Sequence, residues 1–476
     1  MFPPPPPPAS ILSRVLDVIT VVCLLIGITV WFTGGFREWT PFGLLSVRSV
    51  VRPLVIALVL IAIRHWLQPR PTIVSRYVDS ARAFWRAPET RAVFPVWIST
   101  RAAVLLVGFL AIGLFGYRAD VPVPWRVHQN EIANLPARWD TGWYMDVAIN
   151  GYQWSRAHST QQQNIAFFPV YPMLMRYGSL LFGRDTMWTG VAISWVAFFA
   201  ALVYLFRLAR QRLGDEAAIT SVGLIACYPF AFFFSTAYTE ALFLLTIVAA
   251  CYHFERDELW RAMWWGLAAG LSRPNGCLLS IVLALIAIPP VWPDTKRLWQ
   301  PALPPPVGWS RLARRMAVAS APGVGMLIYS TYIWQLTGHP LQWALQNAAW
   351  GRVYAGLDVF AARQAQLISE NGLYTYAATR TVDSLQLAAL LFVLVTVWPV
   401  YRRLGLAYAA MIVVNVLLPV MMGGLLSIGR VTSVLFPTFL WLGAVIPPSH
   451  RAAWLGVFAM LQAICAALFF TWRPLY

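Results

Sequence analysis

Residues 405–425, GLAYAAMIVVNVLLPVMMGGL, contain no charged side chain. As a helix rising about 1.5 Å per residue, such a run spans the roughly 30 Å hydrocarbon core of a bilayer. Inside lipid every backbone N–H and C=O must find a partner within the protein, which leaves helices or closed barrels. The run is continuous rather than alternating, so a transmembrane barrel does not fit. Further apolar runs fall at 15–33, 53–68, 94–116, 187–206, 217–236, 238–254, 259–272, 276–292, 316–336, 384–401, 431–447 and 452–471. With 59% hydrophobic and 12% charged residues, a soluble fold has too little polar surface to stay in solution. The expected class is an all-α polytopic membrane protein with about thirteen transmembrane helices, within a range of 11–14.

Charge gives the expected orientation. The segment 64–92 holds Arg64, Arg70, Arg76, Arg82, Arg86 and Arg91 against Asp79 and Glu89. The connectors 207–216, 295–315 and 401–403 are basic too, and thirteen alternating spans put all of them on one side. The positive-inside rule makes that side cytoplasmic. The expected organisation is a Pro-rich disordered tail (1–14), two N-terminal transmembrane helices with a basic cytoplasmic loop (15–92), and a long membrane domain (93–476). The large extracytoplasmic loops of that domain are 117–186 and 337–383.

The net charge of +17 is almost entirely arginine. In a soluble protein it would suggest nucleic acid. Here anchoring to anionic head groups of the bilayer explains it, and no nucleic-acid partner is expected. Cys23, Cys227, Cys251, Cys277 and Cys465 lie in or beside apolar runs and read as free thiols. No His/Asp cluster has metal-ligand spacing, so neither a metal nor another cofactor is expected.

One loop departs from this apolar pattern. Residues 137–152 read ARWDTGWYMDVAINGY. Asp140 precedes a plausible short helix, where a carboxylate commonly caps free N–H groups. Trp139 and Trp143 also suit a membrane interface. Helical spacing puts Asp140, Trp143 and Tyr144 on one side and Asp146 on another. Downstream, FFPVYP (167–172) carries two prolines that break any ordinary span. It either lies at the interface or packs under the loop.

Glu240 is the single acid between Ala217 and Phe254. A carboxylate at membrane depth is costly and usually faces a cavity or a partner, the alternative here being a water-exposed hairpin turn. Arg273 and Asn275 sit in a Pro/Gly turn, SRPNG, between two apolar runs, and Arg430 stands at the end of another. Arginines so placed either clamp phosphate or snorkel to head groups. An acid with nearby arginines suits transfer from a lipid phosphate: the carboxylate takes a proton from an acceptor hydroxyl and the cations hold the leaving phosphate.

These blocks resemble a known family. RWD with the aromatic stretch after it, GY, AFFPVYP, YTEALF (238–243), SRPNG (272–276) and GR…LFP (429–437) occur in the order found in PIG-V-like mannosyltransferases, and the resemblance spans roughly residues 100–445. The family belongs to the GT-C superfamily of integral-membrane glycosyltransferases. The resemblance implies a GT-C-like catalytic domain over 93–476, a polyprenyl-phosphate sugar donor, most often mannose, and inverting transfer with Asp140 as base. The other residues expected to bind substrate are Arg138, Trp139, Trp143, Tyr144, Asp146, Glu240, Arg273, Asn275 and Arg430. Family members often carry His before GY where this chain has Asn150, which leaves the acceptor open among lipid, glycan and protein. The expected location is the cytoplasmic (inner) membrane with the site facing outward, or the ER lumen in a eukaryotic host. Two rival readings remain: a ligase or polymerase using a lipid-diphosphate oligosaccharide, and a flippase or transporter of a lipid-linked sugar.

Overall fold

The computed structural model describes residues 10–40, 43–118, 125–288, 308–473 and 475. The proline tract of the expected tail and most of the 295–315 connector lie outside them. The chain divides into two compact units, 1–91 with 176–186 and 92–175 with 187–476.

In the first unit, helix Ile11–Thr33 starts where the Ser10 hydroxyl accepts from Ser13 N and ends at Gly34, whose φ of 71° only glycine adopts freely. A hairpin of two five-residue strands, Phe36–Thr40 and Gly43–Val47, leads to helix Val51–Leu67. The other described elements are helical, as expected. Arg64 and Asp17 are buried, and Arg64 Nε donates to Asp17 Oδ1 at 2.8 Å. Arg76, from helix Ile73–Arg86, pairs with Asp17 Oδ2. Arg64 Nη1 and Nη2 donate to the Gln68 and Pro71 carbonyls. Every charge at this node has a partner, as burial requires.

The second unit is built around helices that are apolar on all sides. In Glu240–Glu255 all but Tyr252 and Glu255 are buried. A helix with no polar face belongs in a protein interior or a membrane. Leu259–Ser272 and Leu279–Ala287 pack on Glu240–Glu255, and Asp215–Cys227 packs on Phe436–Val445; all four are 9–14 residues long.

Six described helices are long and apolar enough to cross a membrane: Leu12–Trp31, Pro88–Phe115, Thr186–Leu213, Thr381–Leu404, Leu406–Gly423 and Pro448–Phe470. The pair Trp309–Ala319 and Ala321–Thr337, bent by 40°, makes a possible seventh.

The expected span 217–236 is instead broken. Its helix stops at Cys227, and a 3-10 turn follows at Ala231–Ser235. The freed carbonyls are satisfied by side chains: Arg101 donates to Ala226 and Ala231, and Gln462 Nε2 donates to Ala226 and Tyr228. Irregular backbone survives in an apolar setting only when the protein supplies such partners. The break carries the chain into the interior before helix Glu240–Glu255 begins. Glu240 is therefore fully buried at a helix N-terminus, and the water-exposed turn is ruled out.

Candidate active site

Two acids and two arginines from four separate segments meet here. Arg430 donates from Nε to Glu240 Oε1 at 2.8 Å and from Nη1 to Asp140 Oδ2 at 2.5 Å. Arg273 Nη1 also pairs with Glu240 Oε1 and donates to Thr239 Oγ1 at 3.2 Å. The Arg430 guanidinium lies over the Tyr238 ring, 4.8 Å from its centroid, which adds a cation–π contact.

Close packing brings these segments together. A Cβ at Gly429 would lie 2.1 Å from the Phe230 ring, so only glycine lets Arg430 approach. Gly276 backs onto Ala269, whose carbonyl oxygen would be 2.0 Å from an added Cβ. That contact tightens the turn Pro274–Leu278 beside Arg273.

Asp140 stands at the N-cap position of helix Thr141–Asn150 but makes no side-chain cap. Its carboxylate turns to Arg430 instead, and its backbone N–H donates to the Tyr238 hydroxyl at 3.0 Å. The Asp140 side chain is 21% exposed and that of Glu240 is 0%. Asp140 is thus the acid that a ligand can reach. Among the described residues no group donates to Asp140 Oδ1, and the buried Glu240 Oε2 has no hydrogen-bond partner.

The neighbours of Asp140 divide by role. Arg138 is buried and faces away, donating to the Phe470, Asn134 and Ala137 carbonyls. It ties the loop to the end of helix Pro448–Phe470. Trp139, at φ 46°, makes the sharp turn between Arg138 and Asp140 and packs on Trp472 at 5.1 Å. Trp143 is half-buried and stacks on Phe167 at 5.9 Å, and the Trp350 ring lies against both, 5.7 Å from Trp143 and 5.9 Å from Phe167. Tyr144 is buried, with its hydroxyl 3.2 Å from Thr239 Oγ1. Burial first, and then the Glu240 charge, push its phenol up to about 12, so it stays protonated at neutral pH. Asp146 points to the far side of the helix and accepts from Asn150 and Asn164, within its own loop. Asn275 donates to Asn415 Oδ1 at 2.8 Å, beside the arginines but not paired with them.

FFPVYP lies under the loop. Phe167 packs on Trp143 and Tyr144, while Phe168 joins Tyr329 and Trp343.

Sequence reading passed over Arg352. Its stem runs along Gly423, with Cγ 3.4 Å from where a Cβ would be, just after the turn that carries Trp350. Among the described residues its guanidinium has no hydrogen bond or ion pair. Burial, and then the positive fields of Arg430 and Arg273, lower its pKa to about 10, against a pull from Asp140. Asp140 and Glu240 offset Arg273 and Arg430, so Arg352 leaves the cluster with one positive charge in excess. Nothing in the local sequence marks Arg352, which is one of many arginines in connecting segments.

No curated protein sequence matches the chain. Among solved structures it resembles that of ArnT from Cupriavidus metallidurans bound to undecaprenyl phosphate, at 13% identity and a TM-score of 0.42. The match covers 79% of this chain and 76% of that one, and is too loose to carry a residue or a substrate across. The expected 429–437 block falls outside the matched part of the family. Residues 125–287, which carry Asp140, the aromatic proline segment, Glu240 and Arg273, match the mannosyltransferase (PIG-V) family, and on that match the chain is a glycosyltransferase.

Proposed function

We propose that the protein transfers one sugar, mannose, from a polyprenyl-phosphate donor to an acceptor hydroxyl, with inversion at the anomeric carbon. Asp140 is the general base. The acceptor O–H donates to Asp140 Oδ1, and the acceptor oxygen attacks the anomeric carbon from the face opposite the phosphate. The proton goes to the carboxylate. The bond from the anomeric carbon to the phosphate oxygen breaks, and its electron pair leaves on the lipid phosphate. The observation that carries this reading is the half-open carboxylate: one Asp140 oxygen is fixed by Arg430 while the other has no donor among the described residues.

Arg352, Arg430 and Arg273 hold the phosphate. The excess charge supports this, since an incoming phosphodiester anion neutralises it. Arg273 and Arg430 already serve Glu240, so Arg352 is the cation with most to gain from the phosphate. Glu240, fully buried, orients the sugar and acceptor through Arg273 and Arg430, which its carboxylate holds. Trp143 offers a ring face to the sugar, and Asn275 and Tyr144 support the wall behind it. Arg138, Trp139 and Asp146 shape the loop.

In this reading the chain crosses the inner membrane about thirteen times, several crossings being short helices buried inside the protein. The site faces the extracytoplasmic side, as the arginine-rich connectors suggest. The test supplies mannosyl lipid monophosphate and, separately, a lipid-diphosphate oligosaccharide to the purified protein and to Asp140→Asn. Transfer from the monophosphate by the wild type alone is expected. Full activity in the variant would overturn the base, and use of the diphosphate donor alone would favour a ligase.

A further inference from the structure

Helix Ile73–Arg86 has no part in the chemistry above, and none of its residues is buried. At 3.6 residues per turn, Ile73, Val74, Tyr77, Val78, Phe84 and Trp85 fall on one side. Arg76, Asp79, Arg82 and Arg86 fall on the other. Val74 is 72% exposed, and Tyr77 and Val78 are exposed as well. A complete apolar face left open on a helix needs a covering partner.

The chain on either side limits what that partner can be. Five residues, 68–72, separate this helix from the end of the apolar helix Val51–Leu67. Fully extended they reach at most about 18 Å. At the other end, Ala87 alone separates it from helix Pro88–Phe115, one of the six long apolar helices. Arg76 is also pinned to Asp17 in the first apolar helix. A segment pinned by Arg76 to one membrane-length helix and running directly into another stays at head-group depth. There an apolar face meets acyl chains and an arginine face meets lipid phosphates.

We propose that residues 73–86 form an interfacial helix that binds the surface of an anionic lipid bilayer. Val74, Tyr77, Val78, Phe84 and Trp85 enter the acyl boundary, while Arg82 and Arg86 contact acidic head groups. Arg76 holds the helix to the Asp17–Arg64 node, so lipid composition is felt at the first pair of apolar helices.

The test uses the full chain in bilayers. Nitroxides are attached at Val74→Cys or Val78→Cys, and at Asp79→Cys or Ala83→Cys, in a variant with the five native cysteines replaced. Collisions with oxygen should exceed those with a water-soluble nickel chelate several-fold at the first pair and fall below them at the second. Equal accessibility on both faces would overturn the proposal. So would apolar positions shielded from both reagents, which is the signature of a protein partner or a second copy. Because the cysteine replacements can impair folding, amide exchange of residues 73–86 is also followed in the unmodified chain. Exchange should be several-fold slower in bilayers containing phosphatidylglycerol than in phosphatidylcholine alone. Combined Arg82→Gln and Arg86→Gln should abolish that difference. Lipid-independent exchange in the unmodified chain, or an unchanged difference in the variant, would overturn the anionic preference.

Discussion

Two acid–arginine clusters in this protein use the same ingredients and reach opposite states. At Asp17 both carboxylate oxygens accept from arginines, and each of the other two Arg64 nitrogens donates to a carbonyl. That cluster is closed and leaves nothing for a ligand. At Asp140 one oxygen is held by Arg430 while the other has no donor among the described residues. Glu240 leaves Oε2 unpaired, and Arg352 brings a charge with no counterion among them. A buried ion cluster that only holds helices together is satisfied throughout. One that meets substrate keeps unsatisfied capacity, since substrate must complete it.

The comparison breaks most sharply at the two aspartates. Asp140→Asn should lower the transfer rate by about 10²–10⁴-fold, the range for losing a general base, with thermal unfolding unchanged. Asp17→Asn should do the reverse. It strands Arg64 and should destabilise by roughly 3–5 kcal/mol in a denaturation assay, while kcat per folded molecule persists. If Asp17→Asn protein stays as stable as the wild type, the closed cluster is not structural.

Glu240→Gln separates the two kinds of role within one residue. It should cost both stability and activity, because two arginines lose their shared carboxylate. Unfolding and initial rates measured on the same preparation check this. Arg352→Gln should leave stability intact and raise the donor KM by about tenfold or more, as expected for losing one charge-assisted contact. In the wild type, donor affinity should fall as pH rises through about 10, where Arg352 loses its proton. A KM indifferent to this substitution would reassign the phosphate to Arg273 and Arg430 alone. Arg138→Lys should give the smallest effect, a few-fold drop in kcat at unchanged donor KM, because Lys cannot serve three carbonyls in the guanidinium plane.

Much of the site was legible in the sequence. Glu240, Arg273 and Arg430 stand out because each is a charge in an otherwise apolar setting, and Asp140 because its loop interrupts the apolar runs. Spacing also separated Asp146 from Asp140, since both lie on one short helix. The N-cap role suggested for Asp140 failed because Arg430 offers its carboxylate a full charge, which outweighs a capping N–H. The span expected at 217–236 failed because Arg101 and Gln462 satisfy a broken backbone that hydropathy cannot distinguish from a continuous one.

By itself, the sequence determined that this chain is a helical membrane protein, where its charges interrupt the apolar runs, and which family those interruptions resemble. Hydropathy and local spacing are properties of neighbouring residues, so they survive without a fold. The tertiary structure decided which carboxylate is reachable, which arginine lacks a counterion among the described residues and which cluster is closed. Those properties depend on pairs such as Arg430 with Asp140, 290 residues apart, and Arg430 with Glu240, 190 apart. Only packing sets which of the available acids each arginine meets.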